Sequence, residues 1–238
     1  MVTDRGALLL DRVLAGSGRE GLRHVVAVPA RSGTPVDWPH WTPAPVRAAF
    51  ARCGVAAPWR HQAEAAELAH AGRDVVLATG TASGKSLAYQ LPALARLTTD
   101  PRATALYLAP TKALAADQLR ALEELDVPDV RPAVLDGDTP TEARDWVRSH
   151  ARFVLSNPDM LHRSVLPRHP RWSTFLRRLA VVVVDECHTY RGVFGSHVAL
   201  VLRRLRRVCA RYGAHPVFVL ASATARDPEV AASRLTGL

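Results

Sequence analysis

Lysine is nearly absent from this 238-residue chain: of 31 Lys and Arg residues, only Lys85 and Lys112 are lysine. Where arginine is the default cation, a lysine marks a place that needs a compact point charge and not a planar fork. Cysteine is scarce too. Cys53, Cys187 and Cys209 are odd in number, far apart and outside any Cys/His zinc spacing, which excludes a disulfide scaffold and predicts reduced thiols in a cytoplasmic protein. No apolar run reaches the length of a membrane span. The first apolar cluster, Leu8-Leu9-Leu10, is flanked by Asp4, Arg5 and Asp11 and is too short and too acidic for a signal peptide. Internal repeats and low-complexity tracts are missing. Acidic residues are in the minority, and the net charge of +9 suits an acidic partner, most simply nucleic acid; charge dispersed over a solvated surface is the competing reading.

What is present is an alternation of strands and helices. Residues 1–57 read as an N-terminal extension: a short helix over 8–14, a short strand over 24–28, a loop bearing Pro and Trp over 29–45, and a helix over 44–53 that stops at Gly54. Over 58–238 the spacing predicts helices at 60–71, 85–97, 112–125 and 196–212, a short one from Pro158 and a last one from Asp227. Strands are predicted at 74–78, 103–109, 131–135, 153–155, 179–184 and 216–220. Val181-Val182-Val183-Val184 is apolar on both faces, as expected of a mainly parallel sheet covered by helices on each side. The expectation is one α/β domain with a phosphate-binding loop at a strand's C-terminal edge.

That loop is Thr79-Gly80-Thr81-Ala82-Ser83-Gly84-Lys85-Ser86, between an apolar strand and a helix. Thr81, Ala82, Ser83 and Gly84 are small enough for their backbone N–H groups to approach phosphates at a helix N-terminus. Lys85 would reach the β/γ-phosphates, and Ser86 would offer its hydroxyl to Mg²⁺. The usual pattern opens with Gly or Ala where Thr79 stands, and Gly80 comes one place later. A small-residue turn capping a helix is the other reading. A second signal follows the four valines: Asp185-Glu186-Cys187-His188. Delivered at the same sheet edge, Asp185 would hold the metal and Glu186 would orient and deprotonate an attacking water. The third is Ala221-Ser222-Ala223-Thr224, small hydroxyl residues at a strand end.

In this order the three resemble the phosphate loop, the DExH box and the Ser-Ala-Thr motif of superfamily 2 helicases. The resemblance implies a RecA-like fold, ATP and Mg²⁺, and coupling roles for His188, Ser222 and Thr224. Trp59-Arg60-His61-Gln62 looks like the adenine-reading Q motif, with Gln62 as the amide. Pro110-Thr111-Lys112, Gly137 in Asp136-Gly137-Asp138, and Asn157-Pro158-Asp159 resemble the loops that grip a strand's phosphates. Tyr190-Arg191-Gly192-Val193-Phe194-Gly195-Ser196 is similar to the segment after the DExH box in RecQ-like DNA-repair helicases of the bacterial MrfA type and their fungal relatives. Arg191 is carried over with the nucleic-acid set. The resemblance spans about residues 25–238, from Val28-Pro29-Ala30-Arg31 onward, and implies 3′-to-5′ unwinding of DNA driven by ATP.

Superfamily 2 motors need two RecA-like domains, the second bringing arginine fingers. The chain reads as the first of them, with the second supplied in cis by a longer parent protein or in trans. Alone it is expected to bind ATP weakly, hydrolyse it little and unwind nothing. An RNA-directed helicase domain and a nucleotide-gated binding module without turnover are the alternatives. Arg203, Arg204, Arg206, Arg207 and Arg211 cannot share one helix face and read mainly as a solvated or interdomain surface.

Overall fold

The computed structural model of the chain describes residues 5–17, 19–26, 33–80, 83–223 and 226–238. Its backbone forms two compact units, Met1–Gly33 and Thr34–Leu238. The first holds helix α1 (Arg5–Ser17) and a 3₁₀ turn, Arg19–Gly21. The strand expected at 24–28 does not form over its described part, 24–26. Val25 and Val26 are exposed, with no neighbouring strand to take up their backbone groups. Residues 27–32, with most of that expected strand and the Val28-Pro29-Ala30-Arg31 stretch, lie outside the described residues.

The division at 33/34 differs from the 57/58 boundary read in the sequence. Residues 34–57 are built into the larger unit by their apolar side chains. Val46, Ala49 and Phe50 of helix α2 (Ala44–Arg52) are buried in its core, Trp38 stacks on Phe50 at 5.6 Å, and Pro35 bridges to Trp59.

The larger unit is a six-stranded parallel sheet with strands β1 (Val75–Ala78), β2 (Thr104–Leu108), β3 (Pro132–Val134), β4 (Phe153–Ser156), β5 (Leu179–Val184) and β6 (Val217–Ser222). Their spatial order is β1-β6-β5-β2-β4-β3, every pairing parallel. Alternation of side chains along each strand divides the core in two. Val181 and Val183 join Leu77, Tyr107 and Phe153 under α2, α3 (Arg60–His70), α4 (Lys85–Thr99) and α5 (Lys112–Leu125). Val182 and Val184 join Leu106, Val154 and Phe218 on the other face. Helices α6 (Thr141–His150), α7 (Pro158–Met160, continued by a π turn Leu161–Val165), α8 (Ser173–Leu176), α9 (Gly192–Arg211) and α10 (Pro228–Thr236) cover that face.

Helices α6 and α8 were not legible in the sequence. In α6 only Val147 is buried, so the apolar stripe is too narrow to show a helical period. Helix α9 begins at Gly192, a turn earlier than the spacing of its valines and leucines indicates. Two of its arginines act structurally: Arg203 donates to the carbonyl of Arg234, and Arg206 to those of Thr236 and Gly237, satisfying orphan carbonyls at the end of α10. Among the described residues no helix is long and apolar enough to cross a membrane.

Arg152, just before β4, is buried and gives its guanidinium to the carbonyls of Leu97, Asp100, Ala103 and Asp129. It ties α4, the start of β2 and the loop before β3 together. Arg152→Met is expected to destabilise the chain by about 2–4 kcal/mol, because it strands carbonyls that water reaches poorly. Urea unfolding measures this; a loss below about 0.5 kcal/mol, the range of an ordinary surface substitution, would show that the clamp is dispensable.

Candidate functional site

The sheet order sorts the loops. β1, β6 and β5 are neighbours, so the phosphate-type loop after β1, the Ser222 segment after β6 and the Asp185-Glu186 pair after β5 emerge side by side. β2, β4 and β3 are neighbours on the other half and bring out Pro110-Thr111-Lys112, Asn157-Pro158-Asp159 and Asp136-Gly137-Asp138. One carboxyl edge of a parallel sheet therefore carries two adjoining sites.

In the first half, the Thr79 N–H donates to the Ser222 carbonyl at 3.2 Å, and the Thr79 and Ser83 hydroxyls share a hydrogen bond of 2.7 Å. Lys85 opens α4 and points its ammonium at the carbonyls of Gly80 (3.2 Å) and Thr79 (3.4 Å). Gly84 has φ +65°, and a Cβ there would lie 2.5 Å from Nε2 of Gln62, so glycine is required on both counts. Gln62 is buried and engaged at both ends: its Oε1 accepts from Trp59 N–H (2.7 Å) and its Nε2 donates to the Gly84 carbonyl (2.8 Å). In this conformation the amide expected to read adenine instead ties the start of α3 to the loop. His61 Nε2 adds a contact to the Ser83 carbonyl at 3.0 Å. Thr81 and Ala82 lie outside the described residues.

The acidic pair meets this loop through two tyrosines that the sequence reading overlooked. Tyr89 Oη stands 3.2 Å from Ser86 Oγ and 3.1 Å from Asp185 Oδ2. Tyr107 Oη donates to the same Oδ2 at 2.6 Å. A phenol has one proton, so Tyr89 gives it to the stronger acceptor, the carboxylate. Burial, reinforced by the Asp185 charge, pushes both phenols well above the ordinary tyrosine range, and each also feels the other tyrosine; both stay donors. The remaining oxygen, Oδ1, accepts the Glu186 N–H at 2.8 Å. Ser86 Oγ also receives Gln118 Nε2 (3.3 Å), itself held by Gln90. A signal existed in Tyr107, a polar tip inside an otherwise apolar strand, and in Tyr89, one turn past Ser86 on α4.

Glu186 has φ +46°, a region that L residues rarely occupy. It is held there because its carbonyl accepts both the N–H (2.9 Å) and the hydroxyl (2.8 Å) of Thr189. Its Oε2 lies 3.2 Å from Nδ1 of His188, and the same Nδ1 lies 3.5 Å from the Ala223 N–H. That nitrogen can donate to the carboxylate or accept from the amide, but not both at once, which links the strand ends of β5 and β6. Ser222 is buried, with its hydroxyl unpaired among the described residues; Thr224 lies outside them. Burial, with the Asp185 and Glu186 charges, raises the Cys187 thiol to about 11. All three cysteines are free thiols.

In the second half, Pro110, Lys112, Gly137, Asn157 and Asp159 line one cavity of about 370 Å³ together with Arg163 and Phe194. Thr111 is not on its wall; its hydroxyl caps α5 by accepting the Leu114 N–H. Arg191 lines a different cavity, between α9 and α10, so the structure separates it from the set it was read with. Lys112 pairs with Asp138. The Gly137 loop is braced from α6, where Arg144 donates to the carbonyls of Thr139 (2.7 Å) and Gly137 (2.9 Å). Arg144, Arg163 and Phe194 carried no sequence signal because the elements that bring them here are distant in the chain.

Residues 59–232 match the family described as DEAD/DEAH box helicase. The chain is 45% identical over 195 residues to the uncharacterized ATP-dependent helicase YprA of Bacillus subtilis, covering 81% of this chain and 26% of that protein. It is 48% identical over 177 residues to the ATP-dependent helicase HRQ1 of Saccharomyces cerevisiae, covering 71% of this chain and 16% of that one. The chain thus spans about a quarter or less of these relatives' length. Among solved structures it is similar to the DUF1998 helicase MrfA bound to DNA, at 40% identity and a TM-score of 0.86 over 96% of this chain and 31% of that one. The DEAD-box helicase Mss116, 18% identical with a TM-score of 0.72 over 83% of this chain and 42% of that one, shares the RecA-like fold.

Proposed function

The chain belongs to the DEAD/DEAH box helicase family, and from that premise we propose that it is the first motor domain of a longer, cytoplasmic, ATP-driven DNA helicase that moves 3′ to 5′ and serves DNA repair. The observation that carries the reading is the single Tyr89 hydroxyl standing between Ser86 and Asp185. It brings the lysine loop and the acidic pair to one site. Two hard oxygen donors facing each other suit Mg²⁺, whose remaining positions would fall to phosphates and water. When bound, the ion supplies charge neutralisation at the β- and γ-phosphate oxygens. The chain's own residues do the rest. Amides of the 79–86 loop and Lys85 grip the triphosphate, Asp185 is held in place by Tyr89 and Tyr107, and Glu186 takes the proton of the attacking water. His188, between Glu186 and Ala223, would report the state of that site to the segment of Ser222 and Thr224. Gln62 would have to release Trp59 or Gly84 to reach adenine.

DNA is favoured over RNA as the strand because the helicase MrfA, so similar to this chain, binds DNA. Arginine fingers from a second RecA-like domain, in cis or in trans, would complete the cleft, and lacking them typically costs on the order of 10³-fold in phosphoryl transfer. The 238 residues alone are therefore expected to bind ATP weakly and turn it over little. The test is strand displacement by the full-length parent on duplexes with a 3′ or a 5′ single-stranded tail, made of DNA or RNA. Unwinding confined to the 3′ DNA tail, and lost with EDTA, is the expected result. Unwinding from the 5′ tail, or preference for an RNA tail, would overturn the polarity or the substrate.

A further inference from the structure

We infer that Phe194 is a stacking platform for a base of the single strand whose phosphates the neighbouring loops hold; the inference rests on the DNA-motor reading above. Phe194 sits in the first turn of α9 with 46% of its surface exposed, on the wall of the cavity formed by Lys112, Gly137, Asn157, Asp159 and Arg163. Its surroundings argue for a base and against an apolar protein partner. Two cations, an amide and a carboxylate stand around one ring, and a docking helix would need a broader apolar patch. A cationic groove with an aromatic face is the arrangement that binds single strands with little sequence preference, since every base offers a π-face.

The ring is also held in place. Its centroid lies 5.8 Å from that of Tyr190 at an interplanar angle of 54°, and Tyr190 is buried. A Cβ on Gly195 would come within 2.5 Å of the Tyr190 carbonyl oxygen and 2.7 Å of its carbon. Glycine alone lets the first turn of α9 close onto Tyr190, and that closure sets where Phe194 stands. The π turn Leu161–Val165 places Arg163 on the same wall, and such turns concentrate at functional sites. Position in the sheet adds a consequence. Phe194 follows β5, whose end carries Asp185 and Glu186, and β5 is the neighbour of β2. A base seated there would touch the segment that joins the two halves of the edge.

The test titrates the 238-residue chain at low salt with two single strands of equal length, one carrying 2-aminopurine among thymines and one abasic throughout. Wild type is expected to bind both and to quench the 2-aminopurine. Phe194→Leu, with its fold checked by thermal melting, should lose the quench and bind the base-bearing strand about tenfold more weakly, with abasic binding and salt dependence unchanged. Phe194→Trp should keep the quench, and Lys112→Ala should weaken both strands and flatten the salt dependence. Equal weakening of both strands by Phe194→Leu, or no change in either, overturns the platform while leaving the DNA-motor reading intact. Failure of wild type to bind either strand would sink both.

Discussion

Replacing Glu186 by glutamine is expected to lower ATP turnover by the full-length parent by about 10²–10⁴-fold, the usual contribution of a positioned general base, while nucleotide affinity stays within about threefold, under 1 kcal/mol of binding free energy. Glutamine keeps the size of the side chain, so the left-handed backbone at φ +46° and its bonds to Thr189 and Asp185 are left as they are. Only proton acceptance and the contact with His188 change. Binding and chemistry therefore separate: a fluorescent ATP analogue reads the first and phosphate release the second. Unaltered turnover would remove Glu186 from the chemistry and favour a nucleotide-gated module. A joint loss of affinity and turnover would mean that glutamine disturbs the loop, and would point to a structural role.

Lys85 carries the second large effect. Lys85→Ala is expected to weaken ATP binding by about 10²-fold or more, since a charge-assisted hydrogen bond contributes about 1.5–3 kcal/mol and the ammonium would make more than one. Lys85→Arg is the sharper experiment. The guanidinium carries the same charge but is a broad planar fork, and Lys85 now reaches back over the Gly80 and Thr79 carbonyls inside a tight loop. Arginine should restore little of the lost affinity. Calorimetric titration with a non-hydrolysable ATP analogue measures both variants. Full rescue by arginine would contradict the view that a chain so poor in lysine keeps one here for its shape.

Short-range features were legible in the sequence where one element carries its own signal. The valine run predicted a strand buried on both faces, and 179–184 is the strand observed. The lysine loop and the Asp185-Glu186 pair were legible because each is contiguous and its chemistry depends on adjacent residues. Helix α6 was not, since one buried residue makes no periodic stripe. Gln62 was legible as a residue that matters but not for its contacts: which groups its amide meets depends on Gly84, 22 positions on. Arg191 shows the opposite error, since proximity in sequence to the DExH box did not put it with the strand-gripping loops.

The chain's composition and contiguous motifs were enough to determine an α/β nucleotide-binding motor of the helicase kind, because local patterns encode local geometry. What only the tertiary structure decided is the pairing of loops. Strand order β1-β6-β5-β2-β4-β3 puts residues 79–86, 185–188 and 222 on one half of an edge and 110–112, 137 and 157–159 on the other, with Tyr190 and Phe194 following the strand at the seam. Strand order arises from how helices of the crossovers cover both faces of the sheet. That is a property of the whole packed core, and no window of residues contains it.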